Sequence, residues 1–362
     1  FIVPFAVKMG FGLALYEFLH VMLLEYVPFI ILLLSLFTVA GGVRLKGSLV
    51  GTPLLNTGIL FIGTVLASWM GTTGAAMLLI RPLIRANNWR TNKVHVVIFF
   101  IFLVANIGGS LTPLGDPPLF LGFLHGVSFF WTTKAMLMPL IIVSIILLIT
   151  FFFLDTFYYN KEKENQPESG GEKLSLDGTF NFILLVGVVG SVLLSGFWHP
   201  HVHFNIYGVH VELQNIVRDV LLLALAGISW RITSMEIREA NGFTWFPIQE
   251  VAKLFSGIFV TIIPAIAILK AGENGVLSGV INAVTSENGE PVNMMYFWLT
   301  GILSSFLDNA PTYLVFFNTA GGNAEVLMTT LSETLLAISM GAVFMGAMTY
   351  IGNAPNFMVK SI

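Results

Sequence analysis

Apolar residues along this chain come in long runs separated by short polar turns, and several runs are themselves broken by glycine, proline and a polar residue. A helix needs about 20 apolar residues to cross the hydrocarbon core of a bilayer, and these runs are of that length. The pattern predicts helices over 2–24 and 26–42, then one over 53–70 that breaks at "GTTG" and returns to 84. The stretch 94–131 reads as one crossing interrupted at 110–118. Helices over 135–157, 179–198, 215–230 and 249–270 follow. A segment over 295–307 then breaks at "DNAPT" and continues to 320, and the last element, from 328, is interrupted at "TYIGNAPN". The tract "NKEKENQPESGGEK" is polar and poor in apolar residues, and reads as a mobile divider between two halves.

Composition agrees with the pattern. With 56% hydrophobic and 10% charged residues and a mean hydropathy of +0.84, an ordinary soluble domain is excluded. The fold class is an all-α polytopic membrane protein, expected in a bacterial inner membrane. The absence of cysteine removes disulfide, thiolate and cysteine–zinc chemistry. The formal charge of -3 gives no sign of a nucleic-acid partner; the lipid bilayer and small inorganic ions are the expected ones. No signal peptide is recognisable, and the chain, which begins at Phe1 and ends in "NFMVKSI", reads as a fragment lacking helices at both ends.

Lysine and arginine favour cytoplasmic loops. Arg44 and Lys46 follow the second helix; Arg81, Arg85, Arg90 and Lys93 follow the first break; Lys161, Lys163 and Lys173 lie in the divider; Arg231 and Arg238 precede 249–270. The loops 199–214, 271–294 and 321–327 carry neither residue, while Lys134 and Lys270 stand as exceptions at outer helix ends. The segment between the first two basic loops therefore enters and leaves on the cytoplasmic side, as a re-entrant hairpin with "GTTG" at its tip. Five crossings later the second hairpin arrives on the opposite face. Each half has a hairpin tip and then a broken helix, and Gly115, Asp116 and Pro118 align with Gly352, Asn353 and Pro355. The expected architecture is thus an inverted structural repeat with re-entrant hairpins and discontinuous helices, the pointer to a secondary transporter with a midplane site. Its organisation is 1–52, membrane helices; 53–157, first half; 158–178, cytoplasmic linker; 179–270, connecting helices; 271–362, second half.

Irregular backbone cannot face lipid, because each unsatisfied N–H or C=O there costs several kcal/mol; it persists where protein or a wet cavity receives it. In "GDPPLF" Asp116 is placed to cap a half-helix begun by two prolines, and Asn309 and Asn353 are placed to do the same before "APT" and "AP". Free carbonyls together with Asp116, Asp308, Thr72, Thr73, Thr112 and Thr312 offer hard oxygen ligands suited to a small alkali cation. An aspartate at the centre of a spanning helix costs roughly 2.5–3.5 kcal/mol, more than a cap requires. Burial favours the protonated acid and a bound cation favours the carboxylate, so proton and cation compete for one site.

The motifs "GGSLTPLGDPPLF" and "SSFLDNAPTYL" resemble the ion transporter superfamily, which includes dicarboxylate, citrate and arsenite transporters and NhaD-type sodium/proton antiporters. They look most like the NhaD-type and citrate-transporter-like branch. The resemblance implies a sodium/proton antiporter, with no cofactor beyond transported Na+ and H+, and by analogy a homodimer working by elevator or rocking movement. It implies ion contacts from Asp116, Asp308, Asn309 and the flanking threonines, with Asp116 and Asp308 as sodium ligands; Gly115, Asn353 and Asn356 complete the candidate site. The tip "GTTG" replaces the Ser-Asn-Thr of carboxylate transporters, which argues against carrying their substrate contacts over.

Blander roles compete with each of these. The aspartates can be simple caps. The threonines, with Asn106, Asn353 and Asn356, can bond between helices. Glu250 and Lys253 read as a local ion pair, Arg81 and Arg85 as topology anchors, and Arg218 with Asp219 as a surface pair. The cluster "HPHVHFNIYGVH" has zinc-compatible spacing but reads as a solvated outer loop. Two rival functions remain. One is a citrate, dicarboxylate or arsenite carrier that uses half-helix N-termini for anions, opposed by the aspartates unless sodium is co-bound. The other is an intramembrane aspartyl protease, whose Gly-x-Gly-Asp and Pro-Ala-Leu motifs are missing here.

Overall fold

The computed structural model describes residues 2–162, 171, 173–270 and 278–361. Most of the divider "NKEKENQPESGGEK" and the start of the 271–294 loop lie outside the described residues. Among those described, seven helices are long and apolar enough to cross a membrane: Phe11–Ala40, Pro53–Met70, Val94–Leu111, Phe129–Tyr159, Phe180–Phe197, Leu213–Ile232 and Phe246–Ile268.

The chain opens with α1 (Ile2–Met9), and Gly10 at φ 94 turns it into α2 (Phe11–Val21). A π-turn, Met22–Tyr26, leads without interruption into α3 (Val27–Ala40). The two expected helices over 2–24 and 26–42 are therefore one run from Phe11 to Ala40. Pro28 lacks the N–H for a regular helical bond, and the widened π-turn ahead of it lets the helix continue rather than stop.

Strand β1 (Arg44–Lys46) then leads to the first hairpin, α4 (Pro53–Met70) and α5 (Thr72–Ala86). Thr52 caps α4 by accepting from Leu55 N at 3.3 Å, and Pro53 occupies the first helical position, where its missing donor is harmless. At the tip Gly71 holds φ 79, a value side-chain-bearing residues avoid. At the open end Gly51 N donates to Ala86 O at 2.8 Å, so the hairpin starts and finishes on one side.

α6 (Val94–Leu103) stops short of the expected break. The 3-10 turn Ile107–Leu111 and an extended stretch carry the chain to α7 (Pro117–Leu124). α7 ends there, because Gly126 at φ 98 reverses the chain into α8 (Phe129–Tyr159). The crossing expected to run on to 131 is therefore two elements. The Leu111 carbonyl, left over where the 3-10 turn ends, accepts from Thr132 at 3.0 Å and Thr133 at 2.6 Å on α8.

Strand β2 (Ser175–Asp177) pairs antiparallel with β1, and Lys46 Nζ meets Asp177 at 2.5 Å. α9 (Phe180–Phe197) is followed by the hairpin β3 (His203–Ile206) and β4 (Val209–Glu212), joined by Tyr207 and Gly208, both at positive φ as a tight turn of this hand requires. The histidine cluster is this exposed hairpin; the His203 and His210 rings meet edge to face at 4.7 Å. α10 (Leu213–Ile232), α11 (Met235–Ala240) and α12 (Phe246–Lys270) complete the connecting region. α13 (Ser278–Val284) precedes the second hairpin, α14 (Asn293–Phe306) and α15 (Asn309–Thr319). α16 (Ala324–Met328), α17 (Ser332–Met345), a 3-10 turn Gly346–Met348 and α18 (Ala354–Ser361) end the described chain.

Several loop cations are structural rather than solvated. Arg90 Nη2 lies 2.6 Å from Asp155 on α8, and both side chains are fully buried. His95 and Asn56 complete this cluster at 2.7 and 2.9 Å from the same carboxylate. Arg238 is buried too: it donates to Thr38 O at 3.0 Å and Ser229 O at 2.9 Å, under the Trp230 and Phe243 rings. Arg218, expected in a surface pair, bonds Asp219 at 2.8 Å but is 1% exposed. Among the described residues no ion pair joins Glu250 to Lys253; Glu250 shares a cavity wall with Arg81 instead.

Candidate functional site

Each hairpin tip is stitched to the broken helix of its own half by backbone and small hydroxyls. In the first half Thr72 N donates to Gly115 O at 2.9 Å, Thr112 Oγ1 to Ser68 O at 2.5 Å, and Ser68 Oγ to Gly108 O. In the second half Asn309 N donates to Gly352 O at 3.1 Å, Thr349 Oγ1 to Ser305 O at 2.5 Å, and Ser305 Oγ to Met345 O at 2.9 Å. Asp116 and Asn353 are 237 residues apart, and these two sets of bonds match at that same offset. Glycine is required where the strands touch. A Cβ on Gly115 would run into the Gly109 carbonyl, and one on Gly352 into the Gly346 carbonyl and within 2.8 Å of Ser304 O.

The two halves meet at Asp116. It stands at the N-cap position of α7 but makes no capping bond, contrary to the expectation from "GDPP". Its carboxylate turns across to the other half. Asn309 Nδ2 donates to Oδ2 at 2.6 Å, Asn353 Nδ2 to Oδ1 at 2.7 Å, and Thr72 Oγ1 to Oδ1 at 3.3 Å. The physical reason is burial: Asp116 is 1% exposed, and amide and hydroxyl donors replace the water a carboxylate otherwise needs. Asn309 and Asn353 accordingly do not act as caps. Asp308 caps α15 in place of Asn309, accepting from Ala310 N at 3.0 Å.

The other candidates fall into two groups. Asn353 also donates to Asn106 Oδ1 at 3.1 Å, and Asn106 donates to Asn356 Oδ1 at 2.6 Å, so both asparagines belong to the same buried network. Thr73 lines the small cavity beside Asp116 together with Thr72 and Gly115. Thr112 and Thr312 stand apart from the carboxylate. Thr112 locks its own tip, and Thr312 donates to the Asp308 carbonyl within α15 at 3.0 Å.

Two features point to a ligand. Asn309 Oδ1 and Asn353 Oδ1 are buried without a hydrogen-bond partner, although each amide donates its nitrogen to Asp116. Unpaired buried acceptors are costly, and amide and carboxylate oxygens together are the oxygen set a small hard cation takes once the amides turn their oxygens to it. The second feature is access. The cavity at Asp116, about 10 Å³, adjoins one of about 30 Å³ across Leu33, Thr73 and Pro117. That one adjoins a cavity of about 380 Å³ across Phe37, Pro247, Val251, Ala354 and Met358, lined at its mouth by Arg81 and Glu250. The series runs from Asp116 toward the basic loops.

The helix Phe11–Ala40 meets the tips through Phe29, Leu32, Leu33 and Leu36, an apolar wall. α7 instead crosses α15 closely, with Gly122 admitting the Tyr313 ring: a Cβ there would lie 3.1 Å from Cζ. Sequence reasoning missed Ser68, Ser305 and Thr349, whose signal was their placement at matching points of the halves. It also missed Glu25, a buried acid in the π-turn that lies 3.6 Å from His125.

One family model, CitMHS_2, described as "Putative citrate transport", matches the chain over residues 1–362. No protein in the curated set matches it.

Proposed function

The chain belongs to the CitMHS_2 family of the ion transporter superfamily, hence to the secondary transporters rather than the enzymes, and we propose that it carries citrate or a related carboxylate coupled to a cation through Asp116. One observation carries this reading: among the described residues the carboxylate of Asp116 joins the two halves, held by Asn309 and Asn353 from the other half and Thr72 from its own. A bare carboxylate needs donors. A protonated or cation-bound one needs acceptors, and Asn309 Oδ1 and Asn353 Oδ1 are free to supply them if the amides rotate. Loading of Asp116 therefore rewrites the contact between the halves, which is what coupling requires.

The substrate side rests on the family and on the N-termini of α7 and α15, whose partial positive charge favours an anion. Neither tip carries a lysine or arginine, so a multiply charged carboxylate is carried with a co-bound cation. The inverted repeat, supported by the matched bonds of the two halves, gives alternating access its symmetry. The departure of "GTTG" from Ser-Asn-Thr argues against carrying over the substrate contacts of known carboxylate transporters, and is compatible with a carboxylate held by other residues, which the family match along the whole chain supports.

The test is uptake of labelled citrate into proteoliposomes under an imposed sodium or proton gradient. Gradient-driven uptake that disappears in Asp116→Asn supports the reading. Sodium/proton exchange in the same vesicles without citrate movement would replace it with an NhaD-type antiporter. That second reading draws on the same oxygen set, which needs no organic substrate.

A further inference from the structure

A second cavity, of about 330 Å³, lies on the face whose loops lack lysine and arginine, between the end of α7, the start of α8, the end of α9 and the start of α10. Its polar wall is one helical face of α10. Arg218 and Gln214 are four apart, and both are buried, 1% and 5% exposed. Arg218 gives Nε to Asp219 at 2.8 Å and Nη1 to Asn215 at 3.0 Å, and Nη2 is left without a partner. Gln214 gives Nε2 to Glu212, and its Oε1 is left without a partner. His199, Ser128 and the exposed Glu212 stand at the rim. A buried cationic donor and a buried neutral acceptor, each unpaired and each on a residue that lines the same cavity, are a costly arrangement unless a ligand that moves these side chains completes it.

We propose that this cavity binds a hydroxycarboxylate on its way to Asp116, with Arg218 Nη2 taking a carboxylate and Gln214 Oε1 accepting from the hydroxyl. The choice of ligand class rests on the transport reading above; the existence of the site rests on the two orphan groups. The carboxylate suits Arg218 because a guanidinium N–H pair matches carboxylate oxygens. The hydroxyl suits Gln214 because Oε1 needs a donor, which an ionised carboxylate cannot offer. Position gives the site its purpose. The Arg218 guanidinium lies over the Phe120 ring, 5.9 Å from its centroid, and Phe120 is one turn from Asp116 and lines the small cavity there. Phe120 thus lies against both the Arg218 guanidinium and the small cavity at Asp116, while the cavities on the opposite side lead in from the basic loops.

The test is equilibrium binding of labelled citrate, and of tricarballylate, which lacks the hydroxyl, to the purified full chain in an Asp116→Asn background. That background removes the inner carboxylate. Arg218→Gln is expected to weaken both ligands about tenfold or more, and Gln214→Leu to weaken citrate alone, erasing its advantage over tricarballylate. Arg218→Lys, which keeps the charge and the pairing with Asp219, controls for folding and should retain part of the binding. Citrate binding that is absent, or unchanged in both Arg218→Gln and Gln214→Leu, overturns the proposal. Citrate bound here but never transported by the wild type would remove the transport reading and leave the site standing. Wild-type citrate uptake with an unaltered KM in Gln214→Leu and Arg218→Lys, together with unaltered binding, would remove the site alone.

Discussion

Asp116 carries the most consequence per atom. Replacing it with leucine leaves the Asn309 and Asn353 amides buried without their acceptor, at about 1–3 kcal/mol each, and should lower the midpoint of thermal unfolding in detergent. Asp116→Asn sets amide against amide. Combined with Asn353→Asp it restores one carboxylate between the halves, so the pair should be more stable than the sum of the singles by about 1 kcal/mol or more in a double-mutant cycle. These residues were legible in the sequence as types, a lone acid and asparagines beside prolines. Their roles were not. A local reading sees an aspartate before a proline as a cap, because the rival partners lie 193 and 237 positions away and only folding brings them within 2.7 Å. Asp308 shows the converse, a charge in a break that proves to be a cap.

At the scale of elements, the broken helices work because glycine lets two backbone strands touch. Gly115→Ala and Gly352→Ala should each push a strand off its tip and cost several kcal/mol, about the range of severe core overpacking, with loss of monodisperse protein after extraction. Gly58→Ala and Gly190→Ala, inside α4 and α9 where a Cβ meets nothing within 4 Å, should cost nothing and gain up to about 1 kcal/mol of helix stability, and serve as controls. Helix existence was readable from apolar runs, and so were both hairpins and both breaks. The boundary near Pro28 was not, since hydropathy is blind to a π-turn that absorbs the proline. Nor were the two small sheets, the long-range pair β1–β2 and the hairpin β3–β4, whose strands of three and four residues are too short for a periodic signal.

Over the whole molecule, the charge pattern makes a prediction about sides. The chain has no native cysteine, so single thiols can be placed at will. Thr91→Cys and Ser175→Cys should react with an impermeant reagent from the cytoplasmic face, and Val202→Cys and Glu325→Cys from the other. All four reacting from one face would end the inverted arrangement. Counting arginines gives orientation yet says nothing of burial, which is why Arg90 was read as a loop charge when it is locked to Asp155. Asp155→Ala should cost about 3–5 kcal/mol by stranding that guanidinium, whereas Arg90→Met with Asp155→Leu should cost much less, both read as thermal midpoints.

The crossing of α7 with α15 bears on how the machine moves. Two buried hydrogen bonds at Asp116, from Asn309 and Asn353, and the seat of Tyr313 against Gly122 join the two halves, while the neighbouring helix Phe11–Ala40 offers them an oily wall. Shearing one half past the other would tear that knot on every cycle. Sliding the pair together along the wall would leave those bonds in place and load Asp116 without parting the two tips.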